Sequence, residues 1–447
     1  MNYTEFAILL ASAPAKYAFA LVVSITAYFL IVRKRILSVF DPLLFNLIFA
    51  SFGAAVVLFL FLTGEIQRYF FLQFCATEFL YLICLVAIPR SHKDKKLEDR
   101  LLTTPHSRRF LQGLYLSSAA IFSVSQISAY AVGGIPLFSD NSRLQYYTGG
   151  SGFGLLYRVI SVSSFFCWYL LIYRFVYRWK IRYWPVIGDF FVLFLLVAGA
   201  ILSGSKSTFI TVAFLIFYFR LIHRRTPQYP PTRDRWLSSL QRTVLLTTSL
   251  GALLVLVISG QADGLATAAG AFAYRLAVSG DTYFMAYPHN TLSALNPGNP
   301  IFAFFSGPLE TFRLVAPGSL PEPIGFQLFR AATGMPGLFG PNPRHNVFGL
   351  VYFGLWGSMI YSAVLGLSVG LVRNVGLRFV KIGGFSELVF VLCAISVVSV
   401  NTDVNAFIGP VTDLLLMSPV LLGLAFGLSY AGAHNSVRSR VFTMTPK

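Results

Sequence analysis

The sequence predicts an all-α polytopic integral membrane protein of about 11 spans, with one large loop between spans 8 and 9. Three observations predict it. Hydrophobic residues make up 56% of the 447 and charged residues only 12%, against about 25% charged in a soluble domain. The apolar residues come in blocks of about 16 to 25, the length that crosses a hydrocarbon core of about 30 Å. Barrel strands would alternate apolar and polar positions in pieces of about ten. Finally, 26 of the 35 Lys and Arg residues fall on one side of the topology that these blocks define. That is the positive-inside bias. It accounts for the net charge of +18 without a nucleic-acid partner.

The spans follow in order. The first covers residues 17–32 and stops at Arg33-Lys34-Arg35, which reads as an anchor and sets the N-terminus outside. Residues 42–62 and 69–89 form the second and third, and a loop rich in Lys and Arg, 90–109, follows inside. The fourth is 110–132. A glycine-rich outer loop, 133–154, holds a lone cation, Arg143. The fifth, 155–176, closes on Arg178, Lys180 and Arg182, and the sixth is 186–203. The turn Gly204-Ser205-Lys206-Ser207 leads into a short seventh span, 208–222. A basic, proline-containing inner loop precedes the eighth, 243–260. The large outer loop is 261–346. The ninth to eleventh spans are 347–372, 386–400 and 411–430, and the basic C-terminal tail lies inside. One membrane domain, 1–447, is expected. The four cysteines all lie inside apolar runs and read as small buried hydrophobes.

Nine cations fall outside or near the outer surface: Lys16, Arg68, Arg143, Arg158, Lys206, Arg275, Arg313, Arg330 and Arg344. Singly, such a residue pairs with a carboxylate or a lipid phosphate. Collectively, converging cations would hold an anionic group such as a pyrophosphate, which arginine grips in a bidentate way. Lys206 heads a span shorter than the ~20 residues needed to cross, so its turn is expected below the surface. His345 stands beside Arg344 just before a span, where an imidazole can act as general base near neutral pH. Glu78, in mid-span, is expected to be paired inside the bundle, with proton coupling as the functional alternative. Asp189, Glu387 and Asp413 sit near span ends and read as structural. Walker A and HExxH motifs and Cys/His metal spacings are missing.

Four pieces of the chain resemble the O-antigen polymerase family, the Wzy-type oligosaccharide repeat unit polymerases. They are Gly134-Ile135-Pro136-Leu137-Phe138 with Arg143 and Gly149-Gly150; Ser203-Gly204-Ser205-Lys206-Ser207; Arg275; and Arg344-His345-Asn346 followed by Gly354 and Gly357. The last is similar to a His-Asn element shared with the related O-antigen ligases. The resemblance implies a GT-C-like membrane glycosyltransferase of the bacterial inner membrane that uses neither metal nor cofactor. It implies transfer of a growing glycan from undecaprenyl pyrophosphate to a lipid-linked repeat unit, with a chain-length regulator as a further partner. On these residues, His345 and Arg275 are expected to be catalytic, and Arg143, Lys206, Arg275 and Arg344 to bind pyrophosphate. Lys206 stands where relatives often carry arginine, which keeps the charge but loses the bidentate fork. An O-antigen ligase and a transporter or flippase of lipid-linked sugars are the alternatives; a membrane acyltransferase has only His345 in its favour.

Overall fold

A computed structural model describes residues 1–89, 105–136, 153–177, 183–203, 206–226, 229–258, 265–316, 319–335 and 340–442. Among these residues there are helices and turns and no strand. Among the described residues seven helices are long and apolar enough to cross a membrane, so the protein is an α-helical membrane protein by length and composition. The expected sixth, seventh and tenth spans fall on shorter apolar helices, Ile187–Leu202, Thr208–His223 and Phe385–Ser399. The chain divides into two compact units. One comprises Met1–Ser91, Thr247–Leu377 and Ala394–Gly409; the other comprises His92–Leu246, Arg378–Cys393 and Pro410–Lys447.

The first unit begins with α1 (Tyr3–Ser12), α2 (Pro14–Val32), α3 (Pro42–Thr63) and α4 (Arg68–Ala87). Asn2 caps α1 in a reciprocal box with Glu5. Asp41 caps α3 through the Leu43 N–H at 2.9 Å. The second unit contains α5 (Pro105–Gly133), α6 (Phe153–Tyr177), α7 (Tyr183–Leu202), α8 (Lys206–His223) and most of α9 (Pro231–Ile258). The expected eighth span falls on the second half of α9. The chain then supplies the first unit with α10 (Leu265–Ala277), the short α11 (Asp281–Ala286), α12 (Pro300–Thr311), α13 (Ile324–Thr333) and α14 (His345–Gly370). α15 (Phe385–Ser396) and α16 (Asn405–Phe442) complete the fold.

The carboxylates expected to be structural are all paired within the second unit. Arg174 on α6 holds Asp189 on α7 at 2.9 Å, both side chains 5% exposed, and its guanidinium lies 4.7 Å from the Tyr115 ring. Arg158 pairs with Asp413, which answers the question of this cation. Glu387 accepts from Tyr169, from the Gly383 N–H and, at 2.7 Å, faces His223 Nε2, whose other ring nitrogen meets the Tyr177 hydroxyl.

Asp234, at the head of α9, is gripped by Arg220 and Arg224. Burial alone would raise its pKa, but the hydrogen bonds from Arg224 and Arg220 outweigh it and hold the carboxyl below the usual range. A depressed folded-state pKa gives stability that is present above the unfolded value, ~3.9, and is lost as pH falls through the folded one. Asp234→Asn should therefore lower the melting temperature at pH 7, and the gap to wild type should close on acidification below ~4. Thermal unfolding across pH checks this.

The ninth expected span, 347–372, is not one straight helix. Gly354 (φ 66°, ψ −169°) lies in a region that only glycine occupies readily, and the chain reverses there. Residues 345–353 fold back along 355–370. The Phe348 and Tyr361 rings stack at 5.6 Å, whereas 13 residues of straight helix would part them by about 20 Å. Gln73 donates both to the Asn346 carbonyl at 3.1 Å and to Ser358 Oγ at 3.3 Å, which is possible only across a fold. Gly349 lies so close that a Cβ on it would stand 3.0 Å from Ser358. A side chain at 354 would force the αL-side backbone on an L-residue, so Gly354→Ala should cost about 1–3 kcal/mol. A fall in melting temperature, with loss of any activity that needs the hairpin, is the expected result.

The second arm runs parallel to α4. Ser358 lies beside Gln73, Gly366 beside the Tyr81 carbonyl, Gly370 beside Leu85, and Asn374 donates to the Ile88 carbonyl at 2.9 Å. Small residues let the two backbones approach this closely. At the far end Arg373 donates to both oxygens of the α3 cap, Asp41, at 2.6 and 2.7 Å.

Candidate functional site

Because the first arm descends from Gly354 toward His345, its head lies deep. Glu78 is ten residues from the Arg68 end of α4, about 15 Å along its axis. His345 and Asn346 meet it there. Asn346 Nδ2 donates to Thr77 Oγ1 at 2.9 Å and to Glu78 Oε2 at 3.1 Å, and the Tyr283 hydroxyl donates to Asn346 Oδ1 at 2.6 Å. His345 Nε2 stands 3.5 Å from the same Glu78 oxygen. Its ring tilts over Tyr81, 5.0 Å between centroids. Glu78 is thus paired inside the bundle, as its mid-span position implied.

Two further chain breaks reach this depth. One is Asn401 to Asp403, between α15 and α16. The Asn401 carbonyl faces both His345 Nδ1, at 3.1 Å, and the His345 backbone N–H, at 3.0 Å; Thr402 O takes the Arg344 N–H at 3.0 Å. These carbonyls satisfy donors that the head of the arm would otherwise leave open. The other is residues 278–280, between α10 and α11, where Gly280 packs on Gly53 and Val56 in the middle of α3. Irregular backbone at membrane depth is tolerated where it is buried in protein, and here three such segments satisfy one another.

The imidazole is fixed by these contacts. A carbonyl only accepts, so Nδ1 carries a hydrogen toward Asn401. Nε2 then faces the carboxylate. Neither Nε2 nor Glu78 Oε1 makes a hydrogen bond, though both are buried. With Nδ1 protonated, Nε2 carries the ring's lone pair, 3.5 Å from the carboxylate. Beyond the pair, Tyr3 donates to Asp281 Oδ2 at 2.9 Å. Burial pushes the Asp281 carboxyl up, while the Tyr3 hydroxyl, the Arg344 charge and the Thr282 N–H work against it.

The five expected site residues fare differently. Arg344 and His345 come together with Glu78 and Asn346, with residue exposures of 6% and 3%. The Arg344 guanidinium is directed inward: it donates to Ser279 O at 2.6 Å, lies 5.5 Å from the Tyr283 ring and packs against Gly53. It is thus committed to protein carbonyls and a ring, which differs from the expected outward grip on pyrophosphate. Arg275 is exposed on α10, one turn before Ser279. Lys206 heads α8 as expected, in the second unit. Arg143 lies outside the described residues. Among the other outer cations, Arg330 pairs with Glu322, and Lys16 donates to the Leu62 carbonyl at 3.1 Å.

Sequence reasoning missed Gln73, Tyr283 and Asn401. Gln73 and Thr77 are four apart and share the face of α4 next to Glu78, which was available as a signal. Asn401-Thr402-Asp403 reads as an ordinary span-end loop. Compared with protein-family models, curated proteins and solved structures, the chain matches none.

Proposed function

We propose that the protein is a GT-C-like glycosyltransferase that polymerises undecaprenyl-pyrophosphate-linked repeat units into O-antigen or a related surface polysaccharide. It would act on the outer face of the bacterial inner membrane. The supporting observation is the gathering of Arg344, His345 and Asn346, the residues that carry the resemblance, around a buried carboxylate at the head of a folded-back arm. In this reading an acceptor hydroxyl attacks the anomeric carbon of the donor glycan. The bond from that carbon to the lipid pyrophosphate breaks, and the hydroxyl proton passes to the His345–Glu78 pair. Pyrophosphate is a good leaving group, and its developing charge needs cations more than an acid. Exposed Arg275 supplies one. Arg344 acts as a positioning residue, holding the segment that follows Arg275. Because His345 Nε2 is enclosed, the reaction requires the arm to shift when the acceptor arrives.

A strain lacking the protein should make lipid A core capped with a single repeat unit. Polymer left intact on its lipid carrier would instead mark an O-antigen ligase. The enclosed Glu78–His345 pair favours a second reading, proton-linked movement of a lipid-linked sugar. Transport without elongation in liposomes would establish that reading in place of the first.

A further inference from the structure

A cavity of about 650 Å³ opens within the large loop of the first unit, beside α13. Its walls are tied together. Gln327 Oε1 accepts from the Asn296 N–H at 2.8 Å, and Gln327 Nε2 donates to Asn296 O at 3.0 Å and to Glu322 O at 2.6 Å. Gly298 (φ 65°) sits against Pro321 so closely that a Cβ would stand 2.4 Å from its ring. The opposite face of α13 is buried through Ile324, Leu328 and Phe329, which anchors the cavity to the core. Tyr352, on the same arm as His345, donates to the Pro297 carbonyl at 3.0 Å and joins the cavity wall to that arm.

The chemistry of the rim points to one ligand class. Arg330 and Glu322 form an ion pair with side-chain exposures of 55% and 24%, so the rim carries donors and acceptors side by side with no net charge. A balanced pair attracts neither a phosphate nor a cation over distance. It does match vicinal hydroxyls, each of which donates and accepts at once. Apart from Asn296 and Gln327, which bond each other, the rest of the lining is small or apolar, as Ala294, Leu320 and Ala331 are, which suits the C–H face of a sugar ring. Charged groups with wet, exposed heads can exchange their mutual bond for ligand bonds at little cost.

We infer that this cavity is a binding subsite for an uncharged glycan, the acceptor repeat unit. The inference rests on the proposed polymerase reading for its place in a reaction, but glycan binding itself can be measured without turnover. The test uses the purified full chain in nanodiscs, with the free repeat-unit oligosaccharide as probe for saturation-transfer NMR and the lipid-linked repeat unit as substrate for extension kinetics. Arg330→Ala, Glu322→Ala and the cavity-filling Ala331→Trp should each weaken oligosaccharide binding about tenfold or more, the loss expected for one hydrogen bond to a charged group. They should raise the acceptor KM similarly while leaving kcat within about twofold and the melting temperature unchanged. Wild-type binding by folded Ala331→Trp and Arg330→Ala would overturn the subsite. Wild-type protein that binds the oligosaccharide through these residues yet extends nothing would uphold the subsite and overturn the polymerase reading.

Discussion

Gly366→Ala should unfold the first unit or cripple its assembly. A Cβ at this position would stand 2.2 Å from the Tyr81 carbonyl oxygen and 3.0 Å from its carbon. Both atoms are backbone inside a helix, so neither can yield as a flexible side chain would. The second arm of α14 would have to move off α4, which overpacks the remaining contacts at a cost of about 3 kcal/mol or more. The same shift would pull Gln73, Thr77 and Glu78 away from Asn346, since these meet only while the arm keeps its register on α4. Melting of purified protein should show a large fall, with any activity lost in parallel. Gly423 in α16 is the control. A Cβ there meets nothing within 4 Å, and alanine in a helix is favoured over glycine by about 1 kcal/mol. Gly423→Ala should therefore leave the protein as stable as wild type, or slightly more stable.

Arg344→Ala should be nearly as damaging, and for a different reason. The guanidinium is buried, donates to Ser279 O and fills the space against Gly53 and Tyr283. Its loss orphans a buried carbonyl, about 1–3 kcal/mol, and leaves a cavity worth about 2 kcal/mol or more. The shortened side chain would still sit on a backbone at φ 36°, so no strain is relieved. Arg275→Ala makes the informative contrast. Arg275 is exposed, and its truncation should cost less stability than that of buried Arg344. On the proposed function it nevertheless abolishes chain extension. The two arginines thus separate a residue that builds the site from one that meets substrate: Arg344→Ala loses fold and activity together, and Arg275→Ala loses activity alone.

Much of the fold is legible in the sequence because hydropathy reports burial in lipid directly. The runs that become α2, α3, α4 and α6 are each long enough to cross and carry few charges. Glu78 is legible as a buried acid for the same reason: a lone carboxylate in an apolar span needs a partner. Its partners are not legible. His345 is 267 positions away, and hydropathy averages across Gly354, so residues 347–372 read as a single span. A glycine that permits a reversal and a glycine that packs a helix look alike in sequence. Depth is hidden too. Arg344 next to a span start reads as an interfacial cation, whereas the folded-back arm carries it to the middle of α3. The pairings of Arg158 and Arg330 followed the ordinary expectation for an outer arginine, and Arg275 is exposed.

The proposed function has the arm head act on lipid-linked glycans, and the most direct measurement is extension of a defined undecaprenyl-pyrophosphate repeat unit by the purified protein. Wild type should build a ladder of products without added partners. His345→Ala and Arg275→Ala, confirmed folded by melting, should leave the repeat unit as a single species. Failure of the wild type to lengthen it, or normal ladders from both variants, would contradict the account.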